Sequence, residues 1–218
     1  MADYSSCEPR IHAYLTQDEN LIAAFNSGED IYVKTAELLY GEKITKDDPL
    51  RDRMKVAFLA TTYGQTTKGI AEKEGISEEE AEDLQDRFFT AFPKSKEWYI
   101  EQRKKTTYVE TVMGRRCWMN PYKEADNERN ALNSPHQGSA ADMLKLTMSS
   151  MYFNWRFDCP FGIVHQNHDE LILDTPEEFA PEIAKYVEYW MVKVGEEMTP
   201  GIPHKADAKI VDNWLKGK

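Results

Sequence analysis

The chain has 218 residues, a formal net charge of −11 and an isoelectric point near 5.0, so it can bury one large domain or slightly more. This acid excess argues against a passive, charge-driven nucleic-acid binder but leaves room for an enzyme with basic residues concentrated in one cleft. Cys7, Cys117 and Cys159 are too few and too scattered for a disulfide framework or a zinc site, which fits a reducing cytoplasm. No signal peptide opens the chain, and no apolar run approaches the ~18 residues of a membrane span.

Helical patterns dominate. Thr16-Gln17-Asp18-Glu19 reads as a capping box opening a helix to about Asn26, which Ser27-Gly28 ends. A second helix is predicted from about Asp30 to Tyr40, and Pro49 suits the first turn of a third, running to Tyr63-Gly64. Ser77-Glu78-Glu79-Glu80 is another capping box, with an apolar stripe at Ala81, Leu84, Phe88 and Phe89. Pro93 breaks that helix, and a basic one follows to about Lys105. Tyr108–Met119 alternates around Met113-Gly114 as a small hairpin. A long helical stretch, about Ala125 to Trp155, contains Pro135 and is expected to kink there. Ile163–Asp174 is a hairpin whose tip, His168-Asp169-Glu170, has no glycine or proline to ease the turn. A helix from Pro176 to about Glu197 and a short strand, Lys205–Val211, complete an α+β chain.

Asp3 and Asp169 lie far apart in sequence, each able to sit at a strand end and to share a divalent metal; singly, each reads as a capping or turn aspartate. Arg51, Lys55, Leu59 and Tyr63 recur every four residues near one helical face. Two cations one turn apart would meet a polyphosphate, the arginine with its fork and the lysine as a compact charge, unless they form only a solvated basic face. Arg129, Asn133 and Gln137 repeat the same spacing and could read the acceptor-rich minor groove, or be ordinary helix surface.

In order and in local sequence, these pieces resemble the polymerase region of family A, DNA polymerase I-like, enzymes. Asp3-Tyr4-Ser5-x-x-Glu8-x-Arg10 resembles motif A, and Arg51-x-x-x-Lys55 with Tyr63-Gly64 resembles motif B on the fingers helix. Arg129-x-x-x-Asn133-x-Pro135-x-Gln137-Gly138 resembles the helix beside the primer-template, His168-Asp169-Glu170 motif C, and Lys209 to Trp214 the terminal strand. The resemblance implies a mostly helical fingers region over 29–122 and a small antiparallel palm sheet from 1–28 and 123–218, without thumb or exonuclease domains.

It also implies template-directed addition of deoxynucleotides to a primer 3′-hydroxyl. Asp3 and Asp169, helped by the Tyr4 carbonyl, would hold two Mg²⁺ ions, with Lys55 joining the catalytic set. Arg51, Lys55, Leu59, Tyr63, Glu8 and Tyr32 would contact the incoming nucleotide, with Glu8 crowding the sugar 2′ position. Arg129, Asn133, Gln137 and His168 would position the primer-template DNA, and Glu170 lies beside the metal pair.

Departures from the family pattern set further expectations. Leu59 replaces an aromatic that stacks on the incoming base, Tyr32 stands where a histidine is common, and Pro9 removes a backbone donor from a helix. Only Met1 and Ala2 precede Asp3, so its strand is expected to fray and the sheet edge to stand open. That pattern favours a naturally split, phage-type polymerase in the host cytoplasm, with a second chain carrying thumb and exonuclease and completing the palm by strand addition. A folded remnant with little activity, or a non-catalytic DNA-binding or assembly subunit, is the alternative. A nuclease would need carboxylates that the sequence does not cluster.

Overall fold

The computed structural model describes residues 1–41, 43–120 and 122–214. Positions 42 and 121 of the expected fingers segment, and 215–218 of the expected palm segment, lie outside the described residues. In chain order the elements begin with β1 (Ala2–Tyr4), α1 (Cys7–Thr16), α2 (Glu19–Asn26), α3 (Ile31–Tyr40), α4 (Pro49–Thr62) and α5 (Thr67–Glu74). Next come α6 (Glu78–Ala91), α7 (Pro93–Arg103), β2 (Tyr108–Glu110), β3 (Arg116–Trp118) and α8 (Glu124–Phe153). The last are β4 (Ile163–Asn167), β5 (Glu170–Leu173), α9 (Ala180–Met198) and β6 (Ala206–Ala208). The architecture is α+β. It divides into one unit of Met1–Ile11 with Gln137–Lys218 and another of His12–His136.

The first unit is built on a four-stranded antiparallel sheet of order β4-β5-β1-β6. The expected fraying of β1 is not found. Although it holds only three residues, β1 is an interior strand, with Asp3 opposite Glu170 on one side and Asp207 on the other. The ladder continues to Met1, whose amine donates to the Lys209 carbonyl at 2.9 Å while the Lys209 N–H returns a bond at 2.8 Å. Alternation does the rest: Ala2 and Tyr4 are buried and Asp3 is exposed on the opposite face. The Tyr4 hydroxyl donates to the Met191 carbonyl of α9 at 2.8 Å and lies 2.9 Å from the Thr147 hydroxyl of α8. One side chain thereby fixes the strand to two helices. Gly195 lets α9 close on the buried His204 ring, with which any β-carbon there would collide.

In the second unit, Phe58, Phe88 and Phe92 meet edge to face at 5.0–6.4 Å, and Tyr32 joins them through Phe58. The predicted capping box at Ser77 and Glu80 forms as read. The one read at Thr16 does not. The Thr16 hydroxyl bonds back to the His12 carbonyl at 2.8 Å within α1, Gln17 takes φ 53°, and the buried Asp18 starts the next helix. Asp18 Oδ1 accepts from the N–H groups of Asn20 and Leu21, and its Oδ2 from those of Lys94 and Ser95. One buried carboxylate therefore serves the N-termini of both α2 and α7. Pro9 falls in the first turn of α1, where its missing donor has no intrahelical partner to lose.

Pro135 lies inside α8, and one boundary shifts: α9 begins at Ala180 rather than Pro176. Gly64 has φ 70°, and a β-carbon there would overlap the Leu132 side chain of α8.

Candidate active site

The hairpin β4–β5 turns through only His168 and Asp169, because Asn167 pairs with Glu170. A two-residue turn in a right-twisted hairpin demands positive φ, and without glycine His168 takes it, at φ 51°. The Asp169 carbonyl accepts the Tyr4 N–H at 3.3 Å, which ties the turn to β1 beside Asp3. The carboxyls of Asp3 and Asp169 are close enough that each shifts the titration of the other. Sequence-distant by design of the register, they meet at one end of the sheet.

Around them acids outnumber the cations present, Lys209 and the Met1 amine. A cavity of about 440 Å³ is lined by Asp3, Asn167, His168, Asp169, Glu170 and Asp207, among others. Although Asp3 is exposed on its face of the sheet, partial desolvation at its carboxyl first, then the charges of Asp169, Glu170 and Asp207, push it up from the usual carboxylate range to about 6. Burial also raises Asp169, against the opposing pull of its own backbone N–H and of His168. Glu8, on the first turn of α1, reaches about 7 through burial and the Asp169 charge, with His168 pulling it back. Among the described residues, no group of three or more His, Cys, Asp or Glu side chains is arranged to hold an ion by itself.

The structure thus brings Asp3, Tyr4, Glu8, His168 and Asp169 together in the first unit, where Gln137, exposed on α8, also belongs. Arg51, Lys55, Leu59, Tyr63, Tyr32, Arg129 and Asn133 belong to the second unit. There Arg51 donates from Nε and Nη2 to Asp30 at 3.1 and 2.7 Å, and Lys55 is exposed one turn on. Leu59 is half-buried on α4, and Tyr63 caps that helix with its ring 6.3 Å from that of His136. Tyr32 is buried, with the Arg51 guanidinium 5.6 Å from its ring centre. Arg129 is exposed and pairs with Asp126 at 3.6 Å, while the half-buried Asn133 has a side-chain oxygen that is buried without a partner.

Sequence reasoning missed three features. Asp207 enters the acidic row only through the β1–β6 register, and Asp30 is in the sequence only the approximate start of a predicted helix, whereas in the structure it caps α3 and accepts Arg51. The buried pair His12 and His136, 2.9 Å apart, carried no motif.

Residues 1–216 match the family DNA polymerase family A. The chain is 34% identical, over 99% of its length and 27% of the relative, to "DNA polymerase I, thermostable" of Thermus aquaticus. It is 32% identical, over its whole length and 26% of the relative, to DNA polymerase I of Geobacillus stearothermophilus. A solved structure of the POL domain of Pol1 from M. smegmatis, in complex with DNA primer-template and dNTP, is similar with a TM-score of 0.79. That similarity carries 32% identity and covers 94% of this chain and 38% of the other. The chain belongs to DNA polymerase family A, and it spans about a quarter of the length of the curated relatives it matches.

Proposed function

We propose that the chain is the palm and fingers portion of a template-directed DNA polymerase, adding deoxynucleotides to a primer 3′-hydroxyl. The observation that carries this reading is the convergence of Asp3 and Asp169 in one cavity, in a surplus of negative charge. Two carboxylates with a neighbouring backbone carbonyl suit Mg²⁺, which keeps several waters and takes its remaining ligands from substrate phosphates. Asp3, Asp169 and the Tyr4 carbonyl would hold two such ions, which when bound activate the attacking hydroxyl and stabilise the leaving pyrophosphate.

Around that centre the residues divide the work. Asp3 and Asp169 would have to be deprotonated to bind a cation, so metal uptake should release protons and weaken as pH falls. Glu8, on α1 near His168 and Asp169, would crowd the sugar 2′ position and exclude ribonucleotides. Arg51 and Lys55 would receive the triphosphate, and Leu59 would give the base an apolar contact without a ring face. Tyr63 would pack near the templating base, and Arg129, Asn133, Gln137 and His168 would position primer-template DNA. A second chain carrying thumb and exonuclease functions would complete the enzyme in the host cytoplasm. Because β1 is paired on both sides, such a chain would have to engage elsewhere than next to β1.

Primer extension with Mg²⁺ and deoxynucleotides, run on this chain alone and with the remaining polymerase regions supplied in trans, tests the reading. Incorporation is expected, and Asp169→Ala should abolish it. DNA binding without extension in either format would favour the non-catalytic subunit instead. Manganese binding followed by electron paramagnetic resonance gives an independent check, since Asp3→Ala and Asp169→Ala should each lose the bound signal.

A further inference from the structure

We propose that Asp30 is the positioning residue for Arg51, holding its guanidinium ready for the triphosphate of the incoming nucleotide; this rests on the phosphate-binding role of Arg51 given above. The geometry comes from a division of labour between the two oxygens of one carboxylate. Asp30 is the N-cap of α3, and its Oδ1 accepts the backbone N–H groups of Tyr32 and Val33 at 3.0 and 3.2 Å. Its Oδ2 accepts from Arg51 Nε and Nη2 at 3.1 and 2.7 Å. The carboxylate cannot turn toward or away from Arg51 without giving up its cap, so it is a fixed anchor.

The aromatic floor is fixed as well. Tyr32 is buried, its ring stands edge-on to Phe58 at 6.1 Å, and the Arg51 guanidinium lies 5.6 Å from its centre. Arg51 is therefore held from the side by Asp30 and against a ring by Tyr32. Burial works to raise the Asp30 pKa, but the bond from Arg51, the Val33 N–H and the Arg51 charge outweigh it and leave the group ionised below its ordinary value.

What remains of Arg51 decides between positioning and blockade. A guanidinium has five N–H donors, and Asp30 takes one on Nε and one on Nη2. The other contact, Nη1 to Asp52 at 3.5 Å, is long and its carboxylate is 81% exposed, so an anion displaces it readily. Nη1 and the second Nη2 hydrogen are thus available, on a side chain still one-quarter exposed. Arginine owes much of its phosphate affinity to a planar fork, and ordering that fork during folding spares the loss of rotamer freedom during binding. Asp30 holds the arginine by its inner edge and leaves the outer edge for phosphate.

The experiment measures Mg²⁺-deoxynucleoside triphosphate and inorganic triphosphate binding to the full chain by calorimetry, in the wild type, Asp30→Ser, Asp30→Asn, Arg51→Ala and Asp30→Ser/Arg51→Ala. Serine keeps an N-cap oxygen and removes the acceptor for Arg51. Asparagine keeps the cap and a neutral, weaker acceptor. Asp30→Ser should weaken both ligands by roughly three- to tenfold, with Asp30→Asn between it and the wild type. In the Arg51→Ala background the serine change should have no further effect, which separates positioning from general loosening of α3. Should Asp30→Ser not fold, the asparagine variant alone carries the comparison. Unchanged or tighter triphosphate binding in the Asp30 variants, with Arg51→Ala still weakening it, overturns the positioning role and leaves the phosphate-binding role of Arg51 intact. No loss in Arg51→Ala, or no triphosphate binding by the wild type, overturns that underlying role and the proposal with it.

Discussion

The two units treat buried charge in opposite ways. In the first, Asp3, Glu8, Asp169, Glu170 and Asp207 face a common region, and burial and mutual repulsion raise Asp3 to about 6 and Glu8 to about 7. In the second, Arg51 is matched by Asp30, Asp18 is shared between two helix N-termini, and the buried histidines form a closed hydrogen-bonded chain. His136 Nδ1 bonds the Leu132 carbonyl at 2.7 Å and must carry the proton, so its Nε2 accepts from His12 Nδ1, and His12 Nε2 accepts from the Ser95 hydroxyl. One unit stores electrostatic conflict and the other resolves it. Carboxylates left in conflict by folding are where a cation would relieve most repulsion, which is the reading proposed for Asp3 and Asp169.

The largest expected effect tests that distinction directly. Asp169→Asn keeps the shape of the side chain and removes its charge, so primer extension should fall by on the order of 10³-fold or more. Thermal stability should hold or rise, because a repulsion has been deleted. A large drop in melting temperature would move Asp169 from the site to the scaffold and end the contrast.

Next in size is the histidine chain. His12→Leu strips His136 Nε2 and the Ser95 hydroxyl of their buried partner and should cost about 2–3 kcal/mol in denaturant unfolding. His12→Leu/His136→Met should cost clearly less than the sum of the single changes, since the polar pair is then replaced by an apolar one. Additive costs would show that the two rings do not act as a unit. The chain also has a pH signature. Burial holds His12 well below, and His136 at about 4 against, the ordinary imidazole value. The unfolded state therefore binds more protons below pH ~6.5, and stability falls with acidity by up to ~1.4 kcal/mol per pH unit for each ring.

Which features could be read from the chain follows from how local their causes are. The Ser77 capping box and the apolar stripe of α6, set by residues within a few positions of one another, form as read, while the tip read at His168-Asp169-Glu170 is a two-residue turn with Glu170 already in β5. Asp3 and Asp169 could be picked out by their motifs, and the antiparallel ladder puts them side by side. The rest depended on distant partners. Thr16 and Asp18 both look like caps, and only the bond of Asp18 to the N-terminus of α7 decides between them. Helix α5 escaped notice because only Ile70 and Ala71 of its eight residues are buried, too few to show a period. The interior place of β1 escaped for a related reason: three residues carry no periodicity, and their stability comes from strands more than 160 positions away.

Asp3→Asn sharpens the comparison from the acidic side. The folded pKa of Asp3, about 6, lies above its ordinary 3.8, so the folded state holds the extra proton between those values and loses stability as pH rises through them. The asparagine variant should be more stable than the wild type at pH 7 by about 1–2 kcal/mol, allowing for its partial exposure, and equal to it near pH 4. The direction is opposite to that of the histidine chain. Urea unfolding at pH 4, 5.5 and 7 reads both slopes, and a gain that does not depend on pH would mean that charge is not its source.

The smallest effect on stability is expected at the turn itself, and it is informative because it is small. His168 holds φ 51°, a conformation that costs a side chain ~1 kcal/mol and glycine almost nothing. His168→Gly removes that strain but adds backbone freedom to the unfolded chain, worth ~0.5–1 kcal/mol in the other direction. The two nearly cancel, leaving net stability within ~0.5 kcal/mol of the wild type. The imidazole has a separate electrostatic task, lowering the pKa values of Glu8 and Asp169. Its removal should push Glu8 further up from about 7, which carbon-detected NMR titration of the glutamate carboxyl would register. A strained histidine kept where glycine would fit equally well is then explained by what its ring does to the acids beside it. An unchanged Glu8 titration would leave the strain at residue 168 without that purpose.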